Sequence, residues 1–113
     1  MSEISLNIYS GENKNEVTKV HTVDGYDLML GTIDDFMEII DVDKLDDEMA
    51  IAKMIAKGYG QLKPLLKDIF PELTDEDYRH IKTNDLVFTI MQVGQAILES
   101  FKELKTGKNG ARA

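Results

Sequence analysis

The chain has 113 residues and a mass of 12.8 kDa, room for one hydrophobic core of ordinary size and too little for two. Thirteen Lys and Arg against 21 Asp and Glu leave a net charge of −8, which repels nucleic acid and anionic lipid and argues against both as partners. The absence of cysteine excludes disulfides, thiolate zinc sites and cysteine nucleophiles together. Hydrophobic residues at 42% keep the sequence among folding chains. No run approaches the ~18 apolar residues of a membrane span, and Met1-Ser2-Glu3 does not begin a signal peptide, so a soluble cytoplasmic protein is expected.

Ile4, Leu6 and Ile8 alternate with Ser5, Asn7 and Tyr9, the period of a half-buried strand. Turn residues from Ser10 to Asn15 and the β-branched stretch Val17 to Val23 predict a hairpin, whose second face is ambiguous because Val17 and Val23 lie opposite Val20. Asp24-Gly25 is a further turn, and Tyr26 to Leu30 reads as a third short strand or a lead-in. Two strands alone are marginal, so this segment must pack on helices. Thr32 is a suitable N-cap for a helix to about Ile40, with Asp34 and Asp35 in its first turn and Ile33, Phe36, Met37 and Ile40 at helical spacing.

A linker over 41–46 follows, with Asp43 or Asp46 capping the next helix. Ile51, Ile55, Gly58, Leu62, Leu65 and Ile69 form one helical stripe. Pro64 inside a continuous helix would cost about 3 kcal/mol or more. A break or sharp kink at Gly58-Tyr59-Gly60, with a new helix near Gln61, places Pro64 in a first turn. Phe70-Pro71 stops that helix, and Thr74-Asp75-Glu76-Asp77 restarts the chain as a capping box for a short helix to about Ile81. Thr83-Asn84-Asp85 opens a last helix to about Lys105, with Gly107 as its stop. The expected architecture is therefore mainly α within an α+β fold. A short N-terminal hairpin in a strand-rich segment, 1–30, precedes four to five helices over 32–105, in a single domain of 1–105 with a flexible tail at 106–113.

Eight acids between Asp34 and Glu48, against the single Lys44, hold seven of the eight net negative charges. A calcium loop beginning at Asp41 would need Asp or Asn at Leu45 and Gly at Asp46, and fails at both. Asp34, Asp35, Asp47 and Glu48 read more simply as first-turn residues, and one local segment is a poor mimic of an extended phosphate backbone. Asp77 and His80 share a helix face at i, i+3, but no serine stands in a nucleophile context and Gly58-Tyr59-Gly60 lacks a phosphate loop's Lys-Ser/Thr ending. No catalytic, metal-ligating or cofactor-binding residue is assigned.

In the last helix Leu86, Ile90, Val93, Ile97, Phe101 and Leu104 form one stripe, and Val87, Met91, Gly94 and Leu98 a second beside it. One reading makes this the central core helix. The other makes part of the face, with the soft side chains of Met29, Met37, Met49, Met54 and Met91, a partner-binding or self-association surface. Its candidate residues are Ile90, Met91, Val93, Ile97, Phe101 and Leu104.

Ile69-Phe70-Pro71-Glu72-Leu73-Thr74-Asp75-Glu76-Asp77, followed by Ile81-Lys82 and Asp85-Leu86, resembles the tail assembly chaperones of long-tailed bacteriophages and prophages. The specific part of the resemblance spans residues 69–87, and the layout of strands, helices and acidity agrees over most of the chain. The resemblance implies a non-catalytic protein of the host bacterial cytoplasm, absent from the finished virion. Such a protein would coat the apolar, helical tape-measure protein and help the major tail protein gather on it. It also implies that a longer, frameshifted form can exist, for which a junction in 106–113 would be suitable. Phe70, Pro71, Thr74 and Asp85 match as structural punctuation, so no binding residue carries over. The alternatives are a small structural or adaptor component of the tail and an acidic inhibitor of a DNA-binding protein.

Overall fold

Alternation in the first segment becomes β1 (Glu3–Tyr9), which turns Ile4, Leu6 and Ile8 into the core and pairs antiparallel with β2 (Val17–Asp24). The structure, a computed structural model, describes residues 3–112, with side chains through residue 102. Ile4 lies opposite Val23 and Leu6 opposite His21, and a bulge interrupts the register between Ile8 and Tyr9. The Tyr26 to Leu30 segment is not a third strand but a lead-in to the first helix. Asp24 accepts a hydrogen bond from the Tyr26 N–H and starts a short 3₁₀ turn, Gly25–Asp27.

Five α-helices follow among the described residues: α1 (Leu30–Ile39), α2 (Glu48–Lys57), α3 (Tyr59–Ile69), α4 (Asp75–Tyr78) and α5 (Thr83–Arg112). The fold is thus α+β, a hairpin followed by a helical bundle, as the sequence pattern predicts. α1 begins at Leu30 with Met29 as an N-cap that makes no side-chain bond, so Thr32 is not the cap. Thr32 sits buried with Ile33 and Phe36 inside the helix, and Asp34 and Asp35 lie outside its first turn. A good cap is worth about 1 kcal/mol, less than burying the Phe36 ring. Packing therefore set the start.

The linker forms a 3₁₀ turn, Val42–Lys44, capped by Asp41. Asp47, rather than Asp43 or Asp46, caps α2 by accepting from the Ala50 N–H at 3.1 Å. The predicted break falls at Gly58, which closes α2 and opens α3. Because α3 already starts at Tyr59, Pro64 lies inside it rather than in its first turn. The carbonyl this frees belongs to exposed Gly60, where water can take the lost bond. α4 ends at Tyr78, short of Ile81, where the Arg79 and His80 N–H groups turn back onto carbonyls of its first turn. α5 continues past Gly107 to Arg112; no glycine among the described residues takes the left-handed conformation of a helix stop. The tail predicted at 106–113 lies outside the described side chains, and Ala113 outside the described residues altogether.

One cluster joins β1 to α1, α2, α3 and α5, with Phe36, Leu66, Phe70, Ile90 and Val93 among its fully buried members. α5 and the α4–α5 connection also close the outer edge of β1. Gln92 Oε1 accepts from the Ser5 N–H at 3.0 Å, the Thr89 hydroxyl donates to the Ser5 carbonyl at 2.7 Å, and the Tyr9 N–H donates to the His80 carbonyl at 3.0 Å. At the helix start Asp85 accepts from the Tyr9 hydroxyl at 2.5 Å, a bond that raises the pKa of that phenol.

β2 is tied to the bundle through Asp77. Its carboxylate completes the Thr74 capping box and accepts from Lys19 Nζ at 3.1 Å and from His21 Nε2 at 3.0 Å. The sequence pairs Asp77 with His80 instead, but His80 Nδ1 is held 2.9 Å from the Glu76 carbonyl. Burial pushes the Asp77 carboxyl up, and the bonds from His21, Lys19 and the Thr74 N–H outweigh it, leaving a pKa of about 2. A depressed carboxyl stabilises the fold above its unfolded value near 3.8 and loses that contribution as pH falls toward 2. Asp77→Asn should lower stability at pH 7 by about 1–3 kcal/mol. Its melting temperature should also fall less than the native chain's between pH 4 and pH 2, as followed by circular dichroism.

Candidate functional site

Helical spacing in α5 predicts a wide apolar face, and burial divides that face along its length. Ile90, Val93 and Ile97 are at most 1% exposed and belong to the core, so as partner-binding residues they are corrected: they face β1 and the bundle. Met91 is half-buried against the same cluster. Ile97 is the last buried residue among the described side chains of α5; beyond it Leu98 is 44% and Phe101 46% exposed. The helix runs 15 residues further, about 22 Å at 1.5 Å per residue, and Leu104 falls outside the described side chains.

Beside Leu98 lies an open cleft of about 350 Å³ between α5 and the α1–α2 connection. Val42, Leu45 and Leu98 supply its apolar lining, and Asp43, Asp46, Gln95 and Glu99 its polar part. Local bonds hold the connection in place. Asp41 accepts from the Asp43 N–H at 3.0 Å, Asp47 caps α2, and Leu45 is buried between them. Leu45 seats over Gly94, where an added Cβ would stand 2.5 Å from a Leu45 methyl. Two of the eight acids, Asp41 and Asp47, thus have capping duties, while Asp43 and Asp46 flank an apolar cleft. Val42 and Leu45 were missed by spacing arguments. The signal that points to them is Gly94 itself, a glycine in an apolar helical stripe, which marks close approach by another element.

The exposed methionines are not gathered at this cleft's lining. Met29, Met37 and Met49 are exposed on and beside α1 and α2, and Met54 and Met91 are half-buried against the core. A second hollow of about 320 Å³ is lined by Tyr59, Tyr78, Arg79 and Thr83 over Leu62 and Leu66. Burial and the Tyr59 hydroxyl push Tyr78 up to about 12, so this phenol is neutral at physiological pH. No His or carboxylate lines that hollow to take a proton from it. Among the described residues no group of three or more His, Asp or Glu is gathered where it could hold a metal ion, and no helix is long and apolar enough to cross a membrane.

These features define a class: a small α+β protein whose long last helix leaves its own core beside an apolar cleft flanked by acids. Compared with family models, curated proteins and solved structures, the chain matches none.

Gly94→Ala separates the effects of helix propensity and packing. Alanine gains about 1 kcal/mol of propensity over glycine, but its methyl must displace Leu45. Thermal unfolding should show a net loss of about 1–2 kcal/mol, and limited proteolysis should cut the 41–47 connection faster than in the native chain.

Proposed function

We propose that the chain is a non-catalytic tail assembly chaperone of a long-tailed phage or prophage. In this reading it acts in the host cytoplasm, holds the apolar helical tape-measure protein and helps the major tail protein gather on it. The observation that carries the reading is the exit of α5 from the core at Ile97, which leaves Leu98 exposed at the acid-flanked cleft and Phe101 exposed about one turn further along the helix. An apolar client helix can cover Leu98, Phe101, Val42 and the rim of Leu45 without opening the chaperone's core. Client lysines and arginines flanking its apolar face would meet Asp43, Asp46 and Glu99. The net charge of −8 supports the same reading, because a protein that presents apolar surface needs charge to stay dispersed. The resemblance over residues 69–87 supplies the phage context, and the docking surface is argued from the cleft alone.

Co-expression with the neighbouring tape-measure protein tests this function. The native chain should keep the client soluble and co-purify with it. A Leu98→Asp, Phe101→Asp double variant should fold, since both side chains are exposed, and lose at least about tenfold in client affinity. An insoluble client with the native chain, or undiminished capture by the double variant, contradicts the proposal. Mass spectrometry of purified virions should find the protein missing; its presence there would make it a structural component instead.

A further inference from the structure

The two-stranded sheet has one closed edge and one open edge. Ser5 directs both its N–H and its C=O to α5, so the Ser5–Thr22 and Asn7–Val20 pairs are the ones that exchange no bonds across the hairpin. The N–H and C=O groups of Val20 and Thr22 therefore point away from β1. Among the described residues no other element bonds to them. Val20 is 50% and Val17 43% exposed on this strand. A groove of about 300 Å³ runs along the open edge, lined by Val20, His21 and Val23 on the strand and by Phe70, Pro71 and Glu72 on the turn beyond α3.

The occupant is written in the strand itself. Val17-Thr18-Lys19-Val20-His21-Thr22-Val23 reads alike in both directions: valine outermost, then threonine, then a basic side chain, about a central valine. We propose that the open edge of β2 pairs antiparallel with the β2 edge of a second copy of this chain, about a two-fold axis at Val20, to form a four-stranded sheet. Val20 then exchanges both of its free hydrogen bonds with its own counterpart, and Thr22 comes opposite the bulge at Thr18, where the regular ladder ends. β-branched side chains such as Val20 pack well against cross-strand neighbours.

Lys19 of one copy comes opposite His21 of the other. Each already lies against the Asp77 carboxylate of its own chain, at 3.1 and 3.0 Å, so two carboxylates compensate the two lysines. A two-fold axis needs this self-complementarity, and an extended segment of an unrelated partner does not. The proposal is independent of the chaperone reading, because the β2 edge shares no residue with the α5 cleft.

The natural chain contains no cysteine, so Val20→Cys introduces a single thiol. Across a hydrogen-bonded antiparallel pair the Cα atoms stand about 5.5 Å apart, within the range of a disulfide. Mild oxidation of full-length Val20→Cys should yield a covalent dimer, and Phe101→Cys should not. In light scattering, Val20→Pro should weaken the dimer by about tenfold or more. Its circular dichroism should be unchanged, because the N–H it removes is not used within the hairpin. A native chain that stays monomeric at every concentration overturns the proposal. So does a dimer that crosslinks through Phe101→Cys and not through Val20→Cys, which would place the contact on α5. Should Val20→Pro not fold, the two cysteine variants decide the question alone.

Discussion

Packing of the α5 stripe against the inner face of β1 is the interaction on which the other elements depend. A two-stranded hairpin is marginal in water, and a long helix with an apolar stripe needs something to cover it. Ile4, Leu6 and Ile8 on one side and Ile90, Val93 and Ile97 on the other meet in one cluster, which also takes in Phe36 and Phe70. The same contact brings Thr89 and Gln92 within reach of the Ser5 backbone, so the helix that covers the strand's face also satisfies its edge. Once β1 is closed on that side, β2 holds the sheet's free edge.

Polar groups then fix what apolar packing leaves loose. Asp77 ties β2 to the capping box of α4, and Lys67 and Lys63 hold Asp75 at the start of that helix, lowering its carboxyl pKa through the Lys67 hydrogen bond first. The short α4 is thus anchored at both its strand-facing and its α3-facing sides. In the acidic segment Asp41 and Asp47 cap the turn and α2, and only then do Asp43 and Asp46 stand at the cleft. The net charge of −8, which at first argued only against anionic partners, becomes a local feature beside exposed apolar side chains.

Where periodicity maps directly onto burial, the sequence was readable. The alternation of Ile4, Leu6 and Ile8, the stripe of α5, the break at Gly58 and the Thr74 capping box all express one local rule each. Thr32 misled because its preference for a cap is weak beside the burial of Ile33 and Phe36. The partners of Asp77 could not be read because Lys19 and His21 lie 58 and 56 residues away, and no spacing encodes that approach. For the candidate site, the stripe gives an apolar face on α5 but not what covers it: Ile90, Val93 and Ile97 are interior, while Phe101 remains on the surface. Spacing gives the direction of a face, and where another element covers that face is a tertiary fact.

Central to this account is the division of α5 at Ile97 into a core half and the half proposed to dock a client. Hydrogen–deuterium exchange of the full chain, with and without a soluble tape-measure fragment, tests that division most directly. The account predicts added protection in the 41–47 connection and in α5 after Leu98, with the already slow amides from Leu86 to Ile97 unchanged. Client-induced acceleration of exchange between Leu86 and Ile97, without new protection at the cleft, would mean that the client opens the core, and would contradict it.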